Sequence, residues 1–567
     1  MLKSLLKQYY GFTSFRPGQE EIINDILAGK NVIGVMPTGG GKSLCFQLPA
    51  LMKDGVAIII SPLIALMKDQ VDSLKNKNIP ASFINSSISP AQIQETLNEV
   101  KNGKCKILYI APERFYSREF TEQLKKIKVS LFAIDEAHCI SEWGHDFRPS
   151  YVRLRYAIEM LGSPPVLALT ATATPEVRED IKKQLEILDA SCYITGFDRP
   201  NLRYFALRCN DQEKQENILN YAQENDGPGI IYMGTRKKVE DMVNFLESYG
   251  VAAYGYHAGM EAADRTKIQE NFMLEKKKII AATNAFGLGI DKTNIRFVIH
   301  FDLPGTLESY YQESGRAGRD GLSSDCILLY SPQDRFLREF FLSGENPSQK
   351  IIKEVYSVLK AQIDDPILCT YKDITSQLSE SVPEMAISSI LKTFEKHNII
   401  ERPEQRSING YLQFLKPARE IKEMVSARAK TQIALIDYLI YAFSGELEQG
   451  ININVEEILN SAGVKRDTMA RMMKKLQDLN AVNYEPPFRG SEISLLKRVS
   501  DEDLEKIIDF AALEYKKDRS YSKLDIMENY VYHFGCRRKY ILDYFGESHS
   551  GDCGGCDNCF SRENTRM

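Results

Sequence analysis

The sequence has a single tryptophan and only 11 cysteines in 567 residues, and it lacks any long unbroken apolar run. Its most apolar stretch, VAIIISPLIALM, is interrupted by Ser61-Pro62 and is too short to span a bilayer. The N-terminal MLKSLLKQYYGF has no sustained apolar core of the secretion-signal kind, so a soluble, cytoplasmic protein without a membrane partner is expected, nucleoid-associated if the source is prokaryotic. Excess charge is absent too. The formal net charge of −5 excludes a global field for nucleic acid, so any such surface has to be a local basic patch. With 43% hydrophobic and 26% charged residues, long disordered spans are excluded. Seven cysteines (Cys45, Cys105, Cys139, Cys192, Cys209, Cys326 and Cys369) are scattered singly among apolar neighbours, which suits reduced thiols and not a disulfide framework. The other four crowd into CRRKYILDYFGESHSGDCGGCDNC at 536–559.

A chain of this length exceeds one hydrophobic core and divides into about three to five domains. Over the first 200 residues the runs NVIGVM, GVAIII, CKILYI, VSLFAID and PVLALTA alternate with helix-length segments, the pattern of a doubly wound parallel sheet. A second set, PGIIYM, AAYGYH, KKIIAAT, RFVIHF and DCILLY, predicts another such domain over 201–340 without a phosphate loop of its own. Amphipathic helices follow. Two segments there repeat one order, three helices and then an expected two-stranded hairpin (IIERPEQRSINGYLQFL in the first, VNYEPPFRGSEISLLK in the second). This predicts winged-helix-like modules at 345–418 and 425–499, with a plain helical packing module as the alternative, and a helical segment carrying the cysteines at 500–567.

The strongest chemical signal is MPTGGGKS at 36–43, between a strand and a helix. Successive backbone N–H groups of Gly39, Gly40, Gly41 and Lys42 can form a nest for phosphate oxygens, with Lys42 on the β/γ-phosphates and Ser43 on Mg²⁺. The strict pattern asks for Gly where Met36 stands. A second strand, VSLFAID, runs directly into DEAH at 135–138, placing Asp135 to hold Mg²⁺ and Glu136 to orient and deprotonate a water. In the second domain, QESGRAGRDG at 312–321 sets Arg316 and Arg319 three residues apart, and one of them would serve as an arginine finger across the interdomain cleft.

Together these motifs resemble the RecQ branch of superfamily 2 DNA helicases over residues 1–340. FRPGQEEII (15–23) resembles the motif in which Gln19 reads the adenine edge while Phe12 or Arg16 stacks on the base. MPTGGGKSLCFQLPA, with Thr38, resembles motif I; SPLIALMKDQ motif Ia; LTATAT motif III; ATNAFGLGIDK, with Gly289 and Asp291, motif V; and QESGRAGRDG, with Gln312, motif VI, while DEAH, with His138, is shared with DEAH-box relatives. SEWGHDFRPSY (141–151) resembles the aromatic-rich loop typical of RecQ enzymes, in which Trp143, His145, Phe147 and Arg148 would contact single-stranded bases. Cys536, Cys553, Cys556 and Cys559 have the C-x16-C-x2-C-x2-C spacing of a closed, structural zinc site, and CRRKYILDYFGE followed by CGGCDNC matches the family's zinc module. In RecQ proteins that module ordinarily follows the second helicase domain directly. Here residues 341–535 stand between them, and the module is predicted to pack back on the second α/β domain regardless.

The resemblance implies an ATP- and Mg²⁺-dependent DNA helicase that moves 3′ to 5′ on single-stranded DNA and opens tailed or branched duplexes in repair or recombination, with Zn²⁺ as structural metal and a single-strand-binding protein among its expected partners. An RNA-directed DEAH-type helicase, or a winged-helix DNA-binding regulator whose α/β part only senses nucleotide, would use part of the same motif set.

Overall fold

The apolar runs become strands because each is buried on both faces: Ile58, Ile59 and Ile60 have no solvent exposure at all. The computed structural model describes residues 1–567 apart from 63, 145, 276–277, 288–291, 404–408, 426–428, 488–489 and 566–567. The strands β1 (Val32–Val35), β2 (Val56–Ile60), β3 (Ala81–Ile84), β4 (Ile107–Ile110), β5 (Val129–Ile134), β6 (Val166–Thr170) and β7 (Ser191–Ile194) form one parallel sheet in the order β3-β4-β2-β5-β6-β1-β7. A second parallel sheet has the order β10-β11-β9-β12-β13-β8, from β8 (Leu202–Arg208), β9 (Gly229–Tyr232), β10 (Ala253–Tyr256), β11 (Ile279–Ala282), β12 (Phe297–His300) and β13 (Ser324–Tyr330). Sequence periodicity finds ten of these strands and misses β3, β7 and β8. All three lie at sheet edges, where one face meets solvent and no continuous apolar run is required.

Two compact units result: Met1–Arg338 together with Ser520–Met567, and Glu339–Arg519. Both parallel sheets and the cysteine cluster belong to the first unit.

In the second unit the structure corrects the two expected hairpins. Strands β14 (Ile367–Cys369) and β15 (Ile400–Glu401) do not pair with the next strand in sequence, β16 (Asn409–Phe414). Instead β16 lies between β17 (Ile451–Asn454) and β18 (Val482–Glu485), while β19 (Ser491–Leu495) returns to lie between β14 and β15. The segments 345–418 and 425–499 thus exchange strands. Burial explains the exchange: Leu412 and Phe414 of β16 enter the core of the helices Lys430–Ala442, Val455–Ala462 and Arg466–Asp478, whereas Ile493 of β19 enters that of Gln349–Lys360 and Glu384–Lys396.

The helix Phe510–Tyr532 leads to two short helices, Arg537–Tyr544 and Asp557–Thr565, that frame the cysteines and pack on β8. There the Ala206 N–H donates to Asp557 Oδ2 at 3.0 Å, and Arg537 Nε donates to the same carboxylate. The zinc-type module therefore rests on the second α/β domain, as expected despite its displaced position in sequence. Among the described residues no helix is long and apolar enough to cross a membrane.

Candidate nucleotide site and aromatic loop

Open α/β sheets carry their chemistry at the carboxyl ends of the strands, and the phosphate loop, SPLIALMKDQ, DEAH and LTATAT stand at those ends of β1, β2, β5 and β6. The loop after β1 turns twice through left-handed backbone, at Gly39 (φ 79°) and Gly41 (φ 82°), before the helix Leu44–Met52 starts. The positive φ favours glycine at Gly41, and a Cβ there would come within 2.6 Å of Gln19 Nε2 and displace that amide. Met36, in the place of the consensus glycine, needs no such freedom. Its φ is ordinary, and its side chain is buried in the core beside Cys45, with 3.8 Å between the sulfurs.

Gln19 is buried and braces this loop: Nε2 donates to the Gly41 carbonyl at 3.1 Å and to Gly40 at 3.4 Å, and Oε1 accepts from the Arg16 N–H at 2.8 Å. Arg16 adds a hydrogen bond to the Gly39 carbonyl, and Phe12 is exposed nearby in sequence. Lys42 Nζ donates to the Met36 carbonyl at 3.4 Å, across the cradle formed by the loop. The Ser43 hydroxyl makes no capping bond to the helix it begins.

After β5, Asp135 is half-buried and its carboxyl is pushed up to about 7, first by loss of solvent and then by the neighbouring Glu136 charge, with Lys42 opposing. Glu136 stands in left-handed backbone (φ 50°), and its Oε2 is buried without a hydrogen bond, 3.4 Å from His138 Nδ1. The same His138 nitrogen lies 2.9 Å from Thr170 Oγ1 at the end of β6, connecting DEAH to the LTATAT segment. Two adjacent half-buried carboxylates, one with a buried oxygen that makes no hydrogen bond, fit a divalent cation.

The second domain meets this loop directly. Were Gly39 given a Cβ, it would stand 3.7 Å from Arg319 Cγ, and one on Gly315 would stand 3.3 Å from Thr38 Oγ1. Arg316 is buried and hydrogen-bonds the Gly287 carbonyl, so of the two motif arginines it is Arg319 that adjoins the phosphate loop. Gln312 is half-buried on the helix Leu307–Ser314 that leads into them. Gly289, Asp291 and His145 lie outside the described residues. Sequence reasoning missed Arg199. Its Nη1 donates to the Thr38 carbonyl at 3.3 Å and to Gly315 at 3.1 Å, and its Nη2 to Ala317 at 2.9 Å and Gly318 at 3.0 Å. The only signal in the sequence was an Arg-Pro pair at the junction of the two strand sets.

The aromatic loop begins one turn after His138. Trp143 and Phe147 are half-buried. Arg148 is engaged within the protein, donating to Asp146 Oδ2 at 2.9 and 3.1 Å and to the Pro62 carbonyl at 3.1 Å, so it ties the loop to the SPLIALMKDQ segment.

The Sγ atoms of Cys536, Cys553, Cys556 and Cys559 all lie within 4.8 Å of one another. The Cys556–Cys559 and Cys553–Cys559 separations of 3.3 and 3.9 Å bracket the ~3.8 Å edge of a tetrahedron with ~2.3 Å Zn–S bonds. Hydrogen bonds from Cys553 and Cys556 hold the Cys536 thiol far below the ordinary thiol range. The donor set fits Zn²⁺ with no position left open for water.

Family models match three parts of the chain: DEAD/DEAH box helicase over residues 16–181, helicase conserved C-terminal domain over 213–321, and RecQ zinc-binding over 493–560. The chain is similar to the ATP-dependent DNA helicase RecQ of Bacillus subtilis, at 48% identity over 61% of this chain and 59% of the relative. It is similar to that of Haemophilus influenzae at 46% identity over 62% and 57%. The probable ATP-dependent DNA helicase RecS of B. subtilis is 45% identical over 63% of this chain and 73% of the relative. The chain thus spans under two thirds of the length of the two RecQ relatives. Among solved structures, the Mycobacterium smegmatis helicase Lhr bound to ssDNA and AMP-PNP is similar at 19% identity over 69% of this chain and 57% of that one, with a TM-score of 0.48.

Proposed function

The chain belongs to the RecQ family of ATP-dependent DNA helicases, and from that premise we propose that it couples ATP hydrolysis to 3′-to-5′ movement on single-stranded DNA and to duplex opening. The observation that carries the reading is the approach of Arg319, from one parallel sheet, to Gly39 in the phosphate loop of the other. A nucleotide between them would be held by Lys42 and the loop N–H groups on one side and reached by a guanidinium from the other.

In this reading Gln19, with Phe12 or Arg16, receives the base, and Thr38, Gly39, Gly40 and Gly41 line the phosphates. Ser43 and Asp135 hold Mg²⁺, which supplies charge neutralisation at the phosphates. Glu136 orients the attacking water and accepts its proton. His138, within reach of both Glu136 and Thr170, relays the position of that carboxylate to the segment after β6. Gln312 and Arg319 complete the site from the second domain, and Arg316 anchors their segment on Gly287. Closure on the nucleotide and reopening after hydrolysis would move the strand along the carboxyl ends of both sheets.

Trp143, His145 and Phe147 contact bases, while Arg148 fixes their loop. The four cysteines bind structural Zn²⁺. A single-strand-binding protein belongs to the reading as the coat of the strand that such a motor exposes, and the compartment is the cytoplasm or nucleoid.

Strand displacement with 3′-tailed and 5′-tailed DNA duplexes is the test. Opening of the 3′-tailed substrate only, with ATP and Mg²⁺, is expected. Stimulation of hydrolysis by RNA in place of DNA, or hydrolysis indifferent to nucleic acid, would overturn it.

A further inference from the structure

The helix Phe510–Tyr532, which leads to the cysteine cluster, carries a lysine that stands between the two parallel-sheet domains. Lys523 Nζ donates to the Trp143 carbonyl oxygen at 2.7 Å and lies 2.9 Å from Glu308 Oε1. Both side chains are withdrawn from solvent, Lys523 to 12% exposure and Glu308 to 2%. A carboxylate that deep is tolerated as an anion beside a cation, and the Lys523 ammonium supplies one.

Each partner of Lys523 belongs to a different functional element. Trp143 lies in the aromatic loop, and its N–H donates to Ser141 Oγ at 3.2 Å, which in turn donates to Asp180 Oδ2 at 2.5 Å. The peptide groups flanking Trp143 are thus held by the first domain on the N–H side and by Lys523 on the carbonyl side. Glu308 is the second residue of the helix Leu307–Ser314, and Arg316 and Arg319 follow directly in sequence. The ammonium has three rotatable donors on a flexible stem, and one group can hold a carbonyl and a carboxylate together.

We propose that Lys523 is a positioning residue that couples the aromatic loop to the helix leading into Arg316 and Arg319, so that the zinc module transmits DNA contact at Trp143 to the nucleotide site. The coupling rests on the helicase reading above. If the loop moves when bases bind, its carbonyl moves with it. The ammonium follows the carbonyl while paired with Glu308, because parting an ion pair withdrawn from solvent is costly, and the helix Leu307–Ser314 with the arginine segment after it is carried along.

The test uses the full chain with Lys523→Met, Lys523→Arg and Glu308→Gln, measuring ATP hydrolysis with and without single-stranded DNA, the DNA concentration for half-stimulation, zinc content and thermal unfolding. In Lys523→Met the maximal stimulation factor should fall about tenfold or more, while the DNA-free rate, the half-stimulating DNA concentration and the zinc content stay as in the wild type. Lys523→Arg, which keeps the charge and donors, should restore most of the stimulation. Undiminished stimulation in Lys523→Met overturns the coupling, as does a parallel fall of the DNA-free and stimulated rates. Should Lys523→Met lose zinc or cooperative unfolding, Glu308→Gln decides: it should show the same selective loss, and full stimulation in it overturns the proposal. A wild-type enzyme that DNA does not stimulate would defeat the helicase reading itself, an outcome distinct from stimulated wild type with an equally stimulated Lys523→Met.

Discussion

Phe545 of the cysteine-bearing module stacks on Phe197, with ring centroids 4.5 Å apart and planes inclined by 12°. Phe197 sits in the connection between the two parallel sheets, and Tyr311 packs against both rings at 4.9 and 6.2 Å. Both phenylalanines are only 1% exposed. Phe545→Ala would therefore open a cavity at the point where the module docks and cost about 3–5 kcal/mol. Expected is a lower melting temperature with zinc still bound, since the four ligands are local to 536–559. An unchanged melting curve would mean that the stack does not secure the module.

Hydrolysis separates from binding at DEAH. Glu136→Gln keeps the shape of the side chain and removes the base, so nucleotide binding should persist while turnover falls about 10²–10⁴-fold. Lys42→Ala should weaken nucleotide binding instead, because its ammonium faces into the loop cradle. Nucleotide titration by fluorescence alongside steady-state hydrolysis distinguishes the two. Normal turnover in Glu136→Gln would remove that residue from the reaction.

Arg199 is expected to act on the geometry of the cleft and not on the phosphates. Its four donations hold the Thr38 carbonyl of the phosphate loop against the carbonyls of Gly315, Ala317 and Gly318, which precede and flank the finger candidate Arg319. Arg199→Ala should lower kcat about 10²-fold through misplacement, with a smaller effect on nucleotide affinity. Arg199→Lys should not rescue it, since an ammonium cannot reproduce the planar fork. Wild-type kcat in Arg199→Ala would reduce the residue to a surface tether.

The phosphate loop, DEAH and the paired arginines were legible in the sequence because each is contiguous, and a contiguous motif carries its spacing in the chain. The strands buried on both faces were legible for the same reason, as unbroken apolar runs. Arg199 and Lys523 were not legible. Each works through backbone carbonyls or one carboxylate brought near only by tertiary packing, and a carbonyl acceptor leaves no mark on residue type. The strand exchange in the second unit was hidden for a related reason: the alternation in β16 and β19 fixes which side chains are buried, but not which strand lies beside them.

That exchange has its own consequence for folding. Residues 339–418 alone would lack β19, leaving β14 and β15 unpaired, and would expose Leu412 and Phe414, at about 1.5–3 kcal/mol for each lost burial. Residues 425–519 alone would lack β16, the central strand of the other sheet. Neither half should fold, whereas 339–519 should unfold in one cooperative transition. A dispersed amide spectrum from 339–418 by itself would contradict the pairing.

Metal removal should be felt first at β8. Cys556 is followed by Asp557, whose carboxylate takes both the Arg537 guanidinium and the Ala206 N–H, so the turn that closes the cysteine cluster also makes the backbone contact with the second sheet. Cys556→Ser should release roughly one equivalent of zinc, because three remaining ligands close the tetrahedron poorly and folding of the module is linked to the metal. With that turn loosened, Asp557 leaves the edge strand and the Ala206 amide loses its acceptor. The phosphate loop at 36–43 is braced by Arg16, Gln19 and Arg199, all of them outside the module, so nucleotide binding should survive longer than unwinding. Hydrogen exchange at Ala206, read beside zinc content and strand displacement, follows the sequence of events. A zinc-free protein with a protected Ala206 amide and full unwinding would show that the cysteines serve something other than the fold.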